Sequence, residues 1–255
     1  MEPHAVVAQL IAWAERTEWV ETLELGGSLG RDAGDAWSDV DAGAGLAAGE
    51  TVAGRLDEVR ADVSRFGPVA GFAIEEFGAG AVHLSVLYRA GLELSLVVTE
   101  AGERRGLAPQ TRALVDKCGR LAETLPAERW QPSEQTAALW GYQAWTLCKD
   151  AARHAVRGRG WRSLDALTKA RERVWRLWAA RQGLVYPQFG AVTVENADAA
   201  EPEGIAATHP STLEPVELVR ATRAVTALLR ALSIGEPAVA DAVERRIAEV
   251  TAGVA

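Results

Sequence analysis

The chain is expected to fold as an α+β protein, with an N-terminal mixed-sheet domain followed by an α-helical bundle domain. Two observations predict this. Short alternating apolar segments cluster before residue 105, and longer stretches with helical apolar spacing follow it. Most of the nine Trp residues also lie in the later part, so the two parts differ in character. The expected boundary lies near residue 105, giving domains 1–105 and 106–255.

Taken in order, residues 3–17 place Val6, Val7, Leu10, Ile11 and Ala14 on one helical face, with Pro3 tolerated in a first turn. Residues 20–25 alternate, Leu23 and Leu25 against Thr22 and Glu24, as a strand running into Gly26-Gly27-Ser28. Residues 38–46 read as a second strand rich in small side chains. Residues 51–66 read as a helix with Leu56, Val59 and Val63 on one side, stopped by Gly67-Pro68. Strands are expected over 69–77, 81–88 and 92–99, with Arg89-Ala90-Gly91 as a hairpin turn between the last two. Helices are then expected over 111–124 and 132–156, through Leu164, Leu167, Val174, Leu177 and Trp178, and over 216–232. The tryptophans of these helices fit core spacing, although one or two would suit a sugar-binding cleft. Residues 182–215, rich in Gly and Pro, read as a long irregular excursion of the kind that is usually functional or disordered.

Composition bounds the function. An apolar content of 48% in 255 residues is ample for a core and excludes global disorder. The 35 acidic against 27 basic residues give a net charge of −8. That argues against broad contact with nucleic-acid backbones and would not repel a cationic small molecule. Cys118 and Cys148 lie in no metal-ligand pattern and are expected as buried free thiols; the four His are scattered, so zinc is not expected. The start, Met1-Glu2-Pro3-His4, lacks the charge and apolar run of a signal peptide. The uncharged residues 135–148 fall short of the ~20 needed to span a bilayer and read as a buried helix. A cytoplasmic protein without a membrane partner is expected, with its oligomeric state open.

The string Gly26-Gly27-Ser28-Leu29-Gly30-Arg31, followed by Ser38-Asp39-Val40-Asp41, carries the chemistry. Glycines after a strand let the backbone approach an anion closely, and Ser28 adds a hydroxyl beside the N–H groups. Arg31 stands where a cation can hold a triphosphate. Asp39 and Asp41, two apart on a strand, project from the same face. Mg²⁺ is usually held by one or two carboxylates plus substrate phosphates, so a phosphate-cradling turn opposite paired acids suits phosphoryl or nucleotidyl transfer. The string is neither a Walker loop nor a dinucleotide fingerprint.

These residues resemble the signature of the polymerase-β-like nucleotidyltransferases, and are especially similar to the kanamycin nucleotidyltransferase type of aminoglycoside-modifying enzymes. The close match covers about 16 residues, Gly26 to Asp41, although the order of elements resembles the family along the whole chain. The resemblance implies that Gly27, Ser28 and Arg31 bind the triphosphate of ATP or another nucleotide, and that Asp39 and Asp41 bind Mg²⁺. It implies a third acid on a neighbouring strand. Many members carry Asp where Ser95 stands here, whereas kanamycin-type members carry Glu two residues earlier, matched by Glu93. It further implies a triphosphate-binding lysine, matched by Lys149, and a glutamate base one turn earlier, where this chain has Trp145. The base is therefore open between Glu93 and Asp150. The helical domain would help bind the acceptor, a small and cationic molecule such as an aminoglycoside. Two alternatives stand: nucleotidylation of a protein or RNA, and a degenerate nucleotide-binding or regulatory module without turnover.

Overall fold

A computed structural model describes residues 1–78, 80–101 and 105–253. The chain divides into two compact units, Met1–Pro126 and Ala127–Ala255.

The first unit opens with α1 (Pro3–Arg16), β1 (Val20–Leu25), the single helical turn α2 (Gly27–Gly30), β2 (Val40–Leu46) and α3 (Val52–Val63). The strands β3 (Val69–Glu76), β4 (Ala81–Tyr88), β5 (Glu93–Thr99) and β6 (Arg112–Asp116) complete it. The sheet order is β3-β4-β5-β2-β1-β6. β2 and β5 are parallel while the other pairs are antiparallel, so the sheet is mixed as expected. A parallel pair cannot be closed by a tight turn. The α3–β3–β4 excursion is the crossover that brings β5 beside β2.

Alternation divides the two faces of the sheet. Val40, Leu46, Leu84, Val86, Leu94 and Leu96 are fully buried in one core with Val6, Leu10 and Trp13 of α1 and Val59 and Val63 of α3. Trp13 Nε1 donates to Asp62 Oδ2 at 3.0 Å, and Tyr88 donates its hydroxyl to Val63 O at 2.9 Å, tying α1 and β4 to α3. The intervening residues Asp41, His83, Ser85, Glu93 and Ser95 lie on the opposite face and are only half-buried.

The helix expected over residues 111–124 is not formed. Residues Arg112–Asp116 instead make β6, paired with the otherwise open edge of β1. The Asp116 carboxylate then accepts the N–H groups of Arg120 and Leu121 at 3.0 and 2.9 Å, which folds the following residues into a turn. This strand belongs to the first unit, whose compact boundary falls at Pro126 where residue 105 had been expected. Cys118, expected to be buried, is exposed on that turn; Cys148 is buried.

The second unit is helical: α4 (Glu134–Val156), α5 (Gly160–Arg181), α6 (Ala191–Asn196), α7 (Pro215–Ala231) and α8 (Pro237–Thr251). Ser133 caps α4 by accepting Thr136 N–H at 3.1 Å. Trp145, Leu167, Val174, Val225, Leu229 and Ile247 share its core. Residues 135–148 bury only one side, since Leu139 and Tyr142 are exposed. The tryptophans divide likewise, with Trp145 in the core and Trp161 exposed. The excursion over 182–215 holds α6 and two short 3₁₀ turns, Pro187–Phe189 and Ile205–Thr208.

Candidate functional site

The site grows from the end of β1. Gly26 N–H donates to Asp41 O at 2.8 Å, and Gly30 N–H donates to Gly26 O at 2.7 Å, closing one helical turn directly beside β2. Gly27 has φ +58°, and a Cβ placed on it would lie 2.0 Å from Asp41 Oδ2. Glycine is thus required twice, for the left-handed backbone and for the approach of that backbone to the carboxylate.

A hydroxyl chain holds the loop that follows. Ser28 donates to Ser38 Oγ at 3.0 Å, and Ser38 Oγ lies 3.1 Å from Asp35 Oδ1. Asp35 also accepts the Trp37 N–H at 2.9 Å, folding residues 35–38 into a tight turn that leaves the Trp37 ring exposed. The loop therefore returns to the turn it left and delivers the chain to Asp39.

Asp39 lies one residue ahead of β2 rather than within it, and its Oδ1 accepts the Glu93 N–H at 3.0 Å. That bond pins the start of β2 to the start of β5. Asp41 lies on β2 directly opposite Ser95. Burial pushes the Asp41 carboxyl above the usual range; the Ser95 hydroxyl, by hydrogen bonding, pulls it back. The charges of Asp39 and Glu93 push it up further, and Arg31 opposes them. Asp39, Glu93 and Arg31 are thus all within electrostatic reach of Asp41.

The structure therefore gathers Gly27, Ser28, Arg31, Asp39, Asp41 and Glu93 in the first unit, where the β1–β2 connection meets the starts of β2 and β5. Lys149 lies on α4 of the second unit, half-exposed and 3.9 Å from Asp150 Oδ1. Trp145 is enclosed in that unit's core, with Nε1 donating to Ile234 O at 2.7 Å. Among the described residues, no set of three or more His, Cys, Asp or Glu side chains is arranged to hold a metal ion unaided. Sequence reasoning passed over His83, whose Nε2 lies 2.9 Å from Ser95 Oγ. The available signal was its alternation with Ser85 along β4.

No family model matches the chain, and no curated protein matches it. Eleven chains of solved structures do. An aminoglycoside 6-adenyltransferase from Bacillus subtilis is similar over 97% of this chain and 97% of its own, with 13% identity and a TM-score of 0.40. A nucleotidyltransferase-like protein from Exiguobacterium sibiricum 255-15 is similar over 90% of this chain and 74% of its own, again with 13% identity and a TM-score of 0.40.

Proposed function

We propose that the chain is a nucleotidyltransferase that moves a nucleoside monophosphate, AMP from ATP in the first instance, onto a hydroxyl of a small acceptor. One juxtaposition carries the reading: the Gly27 backbone lies directly against the Asp41 carboxylate, with Asp39 and Glu93 beside it. An anion resting on the N–H groups of this turn is held next to a cluster of acids, and a divalent cation reconciles the two.

The donor set fits Mg²⁺. Asp41 is raised by burial and by two neighbouring negative charges, an excess that a cation relieves. Two carboxylates with phosphate oxygens suffice for this ion, so a self-sufficient cluster of three acids is not required. Asp39 and Asp41 would hold it, with Glu93 as the third acid. When bound, the ion neutralises charge on the triphosphate oxygens.

The residues divide the remaining work. Ser28 and the N–H groups of its turn hold the β- and γ-phosphates, with Arg31 as their counter-charge. Glu93 is the candidate for the base that accepts the proton of the acceptor hydroxyl. The hydroxyl oxygen bonds to the α-phosphorus as the bond to pyrophosphate breaks, and pyrophosphate departs.

A net charge of −8 favours a cationic acceptor, and aminoglycosides are the first class to screen. The helical unit has a groove of about 410 Å³ bordered by Tyr142, Trp178, Arg181 and Glu236, within the size range of small-molecule sites.

The second reading is nucleotide binding without turnover. Ser95, at the position where many members of the resembling family carry a third aspartate, favours it. Incubation with ATP, Mg²⁺ and a panel of cationic sugars, followed by mass spectrometry and pyrophosphate assay, separates the two. Adenylylated product supports transfer. ATP binding without pyrophosphate release supports the second reading, and absence of ATP binding overturns both.

A further inference from the structure

The sheet gives Ser95 two polar neighbours. Asp41 lies opposite it across the β2–β5 pair. Across the β4–β5 pair Ser95 faces Ser85, and His83 is a diagonal step away on the same face. His83 Nε2 is 2.9 Å from Ser95 Oγ. Across the β2–β5 pair the Ser95 hydroxyl is close enough to the Asp41 carboxyl to oppose the upward push of burial on it. The His83 ring lies nearly parallel to Phe77, with centroids 6.1 Å apart and planes 16° apart.

Counting protons sets the direction of this chain. A serine hydroxyl has one proton to donate, and a carboxylate only accepts. With its O–H turned to the facing Asp41, Ser95 has a lone pair left over to accept a proton from His83. We infer that His83 is a positioning residue, carrying its proton on Nε2 and holding the Ser95 hydroxyl toward Asp41, so that the Asp41 carboxylate is braced against the Gly27 turn. The brace supplies a neutral donor at the position where many members of the resembling family carry a third carboxylate. It fixes orientation without adding a charge. Partners of this kind, bonded behind a metal-binding group, typically change affinity or activity by about 10–100-fold.

The inference rests on the nucleotidyl-transfer reading for its kinetic test but not for its spectroscopic one. Two-bond ¹H–¹⁵N spectra of the imidazole, recorded on the full ¹⁵N-labelled chain at neutral pH, are expected to show the Nε2–H tautomer of His83. Ser95→Ala is expected to mix the two tautomers. An Nδ1–H tautomer in the wild type overturns the inference, whatever the activity. In turnover, His83→Leu is expected to lower kcat about tenfold with little change in KM for ATP. His83→Gln, whose amide donates from nearly the same place, is expected to restore most of that loss. Equal losses in the Gln and Leu variants overturn the positioning role. If no acceptor supports turnover, the transfer reading falls while the spectra still decide this one.

Discussion

Asp41 is subject to opposing demands, and a single substitution separates them. Its carboxyl is raised by burial first and then by Asp39 and Glu93, so the folded state holds this proton more tightly than the unfolded state does. The resulting stabilisation is present at acid pH and is lost as pH rises through the folded value. Above that value the ionised carboxylate weighs against the fold. Asp41→Asn is expected to raise the melting temperature at pH 7.5, with the gain shrinking toward pH 4, while lowering turnover about a thousandfold. Melting curves at the two pH values check the first expectation; a lower melting temperature at pH 7.5 would show the carboxylate to be stabilising. Gly27→Ala combines a left-handed backbone with a clash 2.0 Å from Asp41 Oδ2. It is expected to cost about 1–3 kcal/mol of stability and to weaken ATP binding more than acceptor binding, as calorimetry with each ligand would report.

Among the elements, β6 and the turn behind it have the largest consequence for the sheet. The Arg120 guanidinium donates to Ala101 O and Leu46 O at 3.0 and 2.8 Å and pairs with Glu21 at 3.0 Å, so one side chain stitches the chain near the ends of β1, β2 and β5. Arg120→Ala is expected to destabilise the first unit by about 1–3 kcal/mol, because it strips a half-buried carboxylate and two carbonyls of their partner. Lysine, lacking the planar fork, should recover only part of this in urea titrations. This stretch was also the least legible in the sequence. Leu114, Val115 and Leu121 suggest helical spacing, and residues 112–116 show no in–out alternation because they lie at the sheet edge. What makes them a strand is the open side of β1, which no local pattern announces. α8 escaped notice for a related reason, since its buried face includes the small residues Ala240 and Thr251 beside Val243 and Ile247. The turn and the paired acids stood out in the sequence because glycines after a strand and two closely spaced carboxylates are the residue types that phosphate and Mg²⁺ binding call for, whereas Glu93 stood out only through the family resemblance. His83 was not, because its partnership with Ser95 exists only once the register of β4 on β5 is set.

At the scale of the whole molecule, each unit encloses its own apolar core. Residues 1–126 are therefore expected to fold alone, giving a cooperative melt and dispersed amide spectra. Residues 1–105 should not, since they lack β6 and Arg120 and leave the edge of β1 open. Binding of a cationic acceptor to the full chain should weaken with salt, because attraction arising from a net charge of −8 is screened beyond about 8 Å at physiological ionic strength. Calorimetry at low and moderate salt checks this, and no heat from any aminoglycoside would remove that acceptor class.

Trp13 and Trp145 are the two largest fully buried side chains, and there is one in each unit. Each indole N–H is already bonded inside the fold, Trp13 to Asp62 and Trp145 to Ile234 O. The consequence is optical. Each ring is shielded from water until its own unit opens, and then shifts to the red as water reaches it. Trp13→Phe and Trp145→Phe variants would let fluorescence follow the two units separately in one denaturant series, without attaching a dye.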